Sequence, residues 1–542
     1  MKRNLPLIFV LPLAVILLLT AIIPIYARFL SAATGISKVI NLTNSGFSPT
    51  SITIYPGTTV TWTNQTTTAY TLFIESAAST SGNTVYLPVI LSDYSSGSTL
   101  ISNQPIQASE IFSITLPAGG MTSHQFTTTG SFNFYLEEMP EFSGTVTVNN
   151  ALLVAWILNT TNETSAILRD GGNPILVNVQ SVQQTTLSGA EYALVDRTGI
   201  PNYTHTMTIT DVQTLNNRPE AATDFVGGVT SATVGQLVQF GTNLGFINNN
   251  CPAGEGRGYW PPGPSCPGDV SSTGGVYFPL TQQANATECQ TGPGTIGLWV
   301  NGAAIFNWDD TFYYDPADNS SNAIHGVWQN LAPALETYDV DICGGHAAGD
   351  TYHHHSFSSC LSDQLDDTGQ SHSPIYGFAA DGYPVYGPWH DNGVLAQSCW
   401  KKRDYSASSS TGCGVDNKRT CLLTDQYDIT TIPVTTTLTM PHQFGPDVTD
   451  TVTSLSGNSF TAESGIYFQD YYYDSACTAL GGPYLDEHNG HDHDGLGYHY
   501  HVTAEQDGDS LTGVFPFIIG PTFYGELQDQ AVANCYTPPG GP

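Results

Sequence analysis

Two segments of this 542-residue chain repeat one pattern, and that pattern dictates local structure in its second half. Cys343-Gly-Gly-His346 runs on to Tyr352-His353-His354-His355, and His488-Asn-Gly-His491 runs on to Tyr498-His499-Tyr500-His501. Each is a Gly-His turn, a short loop containing Gly and Asp, and a Tyr-His-x-His strand. Side chains alternate across a strand, so His353 and His355 share one face, as do His499 and His501. Thirteen of the fifteen histidines lie at or beyond His325, which gathers imidazole into one half of the molecule.

Two imidazoles at i and i+2 can share a metal ion, and turn residues can complete three or four positions for copper, zinc or iron. The candidate ligands are His346, His353, His355, His491, His499 and His501, with Asp486 and Glu487 nearby. Three arrangements fit. The two strands can meet about a pseudo-two-fold axis and hold one ion between them, or each unit can bind its own. Alternatively, Asp486, Glu487, Asp492, Asp494 and the Asp366-Asp367 pair can hold structural calcium through hard oxygens. The bland alternative is a set of solvated or turn-bonded histidines beside core tyrosines.

Acidic residues outnumber basic ones 47 to 13, a formal charge of −34, which argues against nucleic acid and favours cations or solubility. Leu5 to Tyr26 carries no charged residue and is long enough to cross a bilayer, with Lys2-Arg3 ahead of it. The expectation is a single-pass signal anchor in the cell membrane with the bulk of the chain extracellular, or a secreted protein if the signal is cleaved near Ser31-Ala32-Ala33. Ten cysteines without a Cys-x-x-Cys pair favour disulfides, and Cys343 and Cys360 bracket the first histidine segment. Sequons at Asn41, Asn64, Asn159, Asn162, Asn202, Asn285 and Asn319 suit a glycoprotein.

Thr, Ser, Gly and aromatics dominate and charged residues are few, so the fold class is mainly β. Ser51-Ile-Thr-Ile-Tyr-Pro-Gly-Thr-Thr-Val-Thr-Trp-Thr-Asn64 alternates apolar and polar residues about a Pro-Gly turn, and Gly130 to Val148 has the spacing of two closing strands. This stretch resembles the cupredoxins, Greek-key β-sandwiches that bind blue copper. The resemblance aligns Leu136, Met139 and Phe142 with the copper-loop ligands and Tyr70 with the upstream histidine. Without the thiolate, it implies the fold and not an electron carrier. A weak cuprous site on Met121, His124 and Met139 is the remaining copper option there. Ala151 to Leu158, apolar and short, is expected to be a buried strand.

From Gly199 to Cys535 the chain resembles the YHYH family, extracytoplasmic domains named for the tetrapeptide that stands here as Tyr498-His499-Tyr500-His501. Ile296-Gly-Leu-Trp-Val-Asn-Gly302, Asp341-Ile-Cys-Gly-Gly-His346 and Ser373 to Gly387 also carry the likeness. His354 replaces a tyrosine in the first unit, and His488 stands in the second where the first has Cys343. The expected organisation is an anchor and stalk over 1–34, a cupredoxin-like domain over 35–150, a connector over 151–198 and a YHYH domain over 199–542. The expected function is metal binding outside the membrane. The competing classes are a structural or adhesive surface protein holding calcium and a metal-dependent enzyme of unassigned reaction. Tyr467 to Tyr473 and Trp308 to Tyr314 are the aromatic stretches available for surface glycans or proteins. No Gly-x-Ser-x-Gly, His-Glu-x-x-His or phosphate-loop motif supports catalysis, and Asp381, Tyr383 and His372 are the acid–base candidates.

Overall fold

A computed structural model describes residues 37–76, 111–169, 173–217, 221–245, 275–324, 326–337, 340–421, 426–427, 444–455, 457–508 and 510–536. The expected anchor lies outside the described residues. Among the described residues, no helix is long and apolar enough to cross a membrane.

The amino-terminal unit is a β-sandwich. One sheet orders Gly46–Ser48, Ser37–Thr43, Thr59–Asn64 and Met121–Gln125; the other orders Ser51–Ile54, Ser143–Val148, Gly130–Leu136, Tyr70–Ser76 and Ile111–Leu116. Alternate residues of Thr59–Asn64 are buried, as the sequence alternation requires, and Trp62 packs on Phe134 between the sheets. Leu136 is buried in this core, with Tyr70, Met139 and Phe142 packed against it, so the positions of a copper loop are filled by apolar contacts. Met121 is exposed and the His124 ring rests on Phe112 and Phe126. The Asn64 sequon is also spent internally: the side chain is buried and its amide donates to the carbonyls of Thr68 and Pro117.

Ala151–Val154 forms one helical turn rather than the expected strand. Asn150 explains the difference, because its side chain caps the turn by accepting from the Leu152 N–H. Leu152, Trp156 and Val195 join the large carboxy-terminal core, and Ala190–Arg197 pairs with Val276–Pro279.

At the centre of that core is an eight-stranded sheet. Its order is Gly345–Ala348, Thr351–His354, Ala304–Phe306, Thr295–Trp299, Ile375–Ala379, Pro384–Tyr386, Tyr498–His501 and Gly490–Asp492. The order is palindromic. Each half is a hairpin joined in parallel to a histidine hairpin: Ile305 pairs with His354 in one half, and Val385 pairs with Tyr500 in the other. The halves meet where Leu298 lies opposite Phe378 in an antiparallel pair, which places a local two-fold between them. The duplication therefore extends beyond the histidine segments. Gly297-Leu-Trp-Val-Asn-Gly302-Ala-Ala-Ile-Phe-Asn307 pairs in the same register as Gly377-Phe-Ala-Ala-Asp-Gly382-Tyr-Pro-Val-Tyr-Gly387.

Among the described residues, four disulfides tie this region: Cys289–Cys535, Cys343–Cys360, Cys399–Cys477 and Cys413–Cys421. They suggest an extracellular location. The aromatic stretches considered for glycans face inward, with Trp308, Tyr314, Tyr467, Tyr471 and Tyr473 all buried. The sandwich abuts the second half of the sheet, where its Gly57 turn touches the Leu496 side chain.

Candidate metal centres

The Gly-His and Tyr-His-x-His motifs are two strands of one hairpin. His346 lies directly opposite His353, and His491 directly opposite His499. The glycine before each turn histidine makes room for a tyrosine: a Cβ at Gly345 or Gly490 would lie 2.4 Å from the hydroxyl of Tyr352 or Tyr498. Each tyrosine donates to an aspartate, Tyr352 to Asp341 at 2.8 Å and Tyr498 to Asp486 at 2.9 Å. The same carboxylates accept the N–H groups of Cys343 and Gly345, or of His488 and Gly490, and so shape the turn. One face of each hairpin is thus locked by Asp–Tyr pairs, and the other carries three imidazoles.

In the first half these are His346, His353 and His355, all buried and with ligand nitrogens close together. The Nδ1–H of His353 donates to the Thr351 carbonyl at 3.1 Å, and that of His355 to the Asn307 carbonyl. A carbonyl only accepts, so each neutral ring keeps its lone pair on Nε2. Those two Nε2 atoms are 3.1 Å apart. Glu336, at the end of the short helix Ala332–Leu335, places an oxygen 3.4 Å from His346 Nε2 and 3.3 Å from His355 Nε2. Ligands about 2.0–2.1 Å from a tetrahedral ion are about 3.3 Å from one another. These spacings fit that figure. Burial, then the neighbouring His346 and His355, push the His353 imidazole well below its ordinary pKa.

The second half repeats this geometry. His499 donates Nδ1–H to the Gly497 carbonyl and His501 to the Gly387 carbonyl, both at 2.7 Å. Gly387 occupies the position of Asn307 when the two hairpins are aligned by register. The Nε2 atoms of His491, His499 and His501 are buried and without a hydrogen-bond partner among the described residues. Burial leads the causes that push His491 down to about 3, and it holds His499 and His501 well below their usual range. At neutral pH all three are lone-pair donors.

All six histidines singled out in the sequence therefore sit in two three-histidine groups, but the groups do not meet. Four strands separate His353 from His499 in the sheet, about 24 Å at the usual strand spacing. The expectation of one ion shared between His353, His355, His499 and His501 is overturned, because the two-fold runs through the middle of the sheet and puts the histidine hairpins near opposite edges. The oxygen-ligand arrangement is not assembled either. Asp486 is committed to Tyr498, Asp367 accepts from Ser373 and Tyr376, and among the described residues every close group of three candidate ligands is all histidine.

His354, between the two ligands of its strand, belongs to the core, where Trp299 Nε1–H donates to its Nδ1 at 3.1 Å. Sequence reasoning missed Glu336, His390 and His493 and treated His372 only as an acid–base candidate. His493 was visible in His491-Asp-His493 as a further i, i+2 pair; Glu336 carries no local signal. Asp381 and Tyr383 lie in the hairpin turn, where Asp381 is buried and accepts from the Tyr500 hydroxyl at 2.6 Å.

Several solved cupredoxins are similar to part of the chain. Amicyanin from Paracoccus versutus is 15% identical over 21% of this chain and 81% of its own, with a TM-score of 0.13. A purple cupredoxin from Nitrosopumilus maritimus is 24% identical over 20% of this chain and 98% of its own, also with a TM-score of 0.13. No curated protein matches the chain. Residues 276–419, which span the first histidine hairpin and the central strands up to Tyr386, match the family model described as YHYH protein.

Proposed function

We propose that this chain is an extracytoplasmic metal-binding protein in which each half of the duplicated sheet holds its own transition-metal site. His346, His353 and His355 with Glu336 form one set, and His491, His499 and His501 form the other. The observation that carries this reading is the approach of His353 Nε2 to His355 Nε2 at 3.1 Å while both Nδ1–H groups are committed to carbonyls. Two lone pairs so placed repel unless a cation lies between them. Imidazole donors point to copper, zinc or iron rather than calcium. Anchoring through Leu5–Tyr26 is part of the same proposal and would present both sites outside the membrane.

The test is metal analysis of the full-length chain purified without a histidine tag. The proposal expects bound transition metal, with loss of the first site's ion in a His353→Ala, His355→Ala variant and of the second site's metal in a His499→Ala, His501→Ala variant, each leaving the other. Metal-free wild-type protein, or pair variants that keep the full wild-type content, would overturn it.

A further inference from the structure

The second half of the sheet holds more imidazole than one ion can use. Beyond His491, His499 and His501, three further rings lie against the same group: His372, His390 and His493. Ring centroids of His390 and His493 are 4.0 Å apart, those of His390 and His491 5.3 Å, and those of His372 and His501 5.1 Å. Ligand atoms within 4.8 Å of one another form three overlapping triads: His372, His493 and His499; His390, His491 and His493; and His491, His499 and His501. His390 shares a triad only with His491 and His493, and His501 only with His491 and His499. A single ion cannot reach both ends of this cluster.

The protons are also too few for the rings to satisfy one another. His372, His499 and His501 each spend their one N–H on a carbonyl, of Ser373, Gly497 and Gly387 respectively. Their buried Nε2 atoms have no partner among the described residues, and neither do Nδ1 of His390 and Nδ1 of His493. Buried polar atoms left unpaired are costly, and a cation satisfies several at once. Counter-charge stands at the rim. Asp494 approaches His493 at 3.3 Å, and Asp391 and Asp492 are exposed beside it.

We infer that this cluster holds two adjacent ions: one in the duplicated position at His491, His499 and His501, and a second held by His390 and His493, with His372 completing a set of six imidazoles. The inference rests on the proposed function and deepens it for the second half only. An all-nitrogen donor set without thiolate favours copper, at the top of the affinity order for divalent first-row ions. The first half, with Glu336 and no counterpart of His390 or His493 in its triad, holds one ion.

The experiment loads metal-stripped full-length protein with copper(II), removes excess by gel filtration and counts copper per chain. Three ions are expected for wild type and two for a His390→Gln, His493→Gln variant. Two ions in both proteins would overturn the pair while leaving the proposed function standing, and none in either would overturn both. Should the double variant fail to accumulate, the wild-type count decides alone: three supports the pair and two overturns it.

Discussion

The two halves of the sheet share a backbone and a ligand triad but differ in what surrounds the triad. In the first half Cys343 is bonded to Cys360, which ties the turn to the helix Ser359–Gln364, and the Glu336 carboxylate stands beside His346 and His355. In the second half His488 takes the place of Cys343 and its ring Nδ1 meets the Thr522 hydroxyl and carbonyl, while three extra histidines stand where the first half has the glutamate. The sandwich packs against this second half through Gly57 and Leu496. Duplication kept the geometry that aims three imidazoles at one point. Divergence changed what surrounds it, from a covalent tie in one half to extra histidines and packing of the sandwich in the other.

The largest effect expected from this contrast is on metal removal. A bound ion at about 1,000 times its dissociation constant stabilises a fold by about 4 kcal/mol. Stripping metal with a chelator should therefore lower the melting temperature and speed amide exchange in Tyr498–His501 far more than in Thr351–His354. Equal exchange in the two strands would break the asymmetry.

Next is the covalent tie. Replacing Cys343 and Cys360 together by serine opens a loop of 17 residues and should cost about 3 kcal/mol, read by denaturant unfolding. The same variant should leave metal at His491, His499 and His501 untouched. Loss of metal from both halves would show that they are not independent.

The glycines test what the halves still share. Gly345→Ala and Gly490→Ala each drive a methyl group into a tyrosine hydroxyl and should each cost about 1–3 kcal/mol. Matching costs would sharpen the case for a common architecture, and a silent substitution in either half would weaken it.

The smallest effect comes from a divergent pair at the hairpin turns. Asn301 Oδ1 accepts the Ala303 N–H, and Asp381 Oδ1 accepts the Tyr383 N–H at the same 3.1 Å. Burial raises the Asp381 carboxyl from 3.8 to about 6, ahead of the hydrogen bonds that lower it. The folded state thus holds the proton more tightly than the unfolded chain. Its stabilising contribution is complete below pH 3.8 and fades as pH rises through about 6. Between pH 4 and pH 5, wild type should lose up to about 1.4 kcal/mol relative to Asp381→Asn. Parallel stability curves for the two proteins would contradict the buried titration.

Much of this fold was legible in the chain. Strict alternation in Thr59–Asn64 marked the sandwich, and the repeated Gly-His and Tyr-His-x-His pattern marked both hairpins and the six histidines that they bring together. The hidden part was long-range. Gly297 to Asn307 and Gly377 to Gly387 share few identical residues, so the duplicated central hairpins emerge only from strand pairing. For the same reason the sequence did not reveal that the copies sit near opposite edges. Glu336 reaches its site across the fold from a four-residue helix, and a lone glutamate has no periodicity to betray it. The Ala151–Val154 turn was misread because the eight-residue apolar run masked the capping role of Asn150.

The central claim is two separate metal centres in one duplicated sheet. Anomalous diffraction from crystals of the metal-loaded full-length protein, collected at the absorption edge of the bound ion, tests it most directly. The account predicts one peak between the Nε2 atoms of His353 and His355 and separate density at His491, His499 and His501, about 24 Å away across the sheet. A single peak midway between the two hairpins, or no peak at either triad, would contradict it.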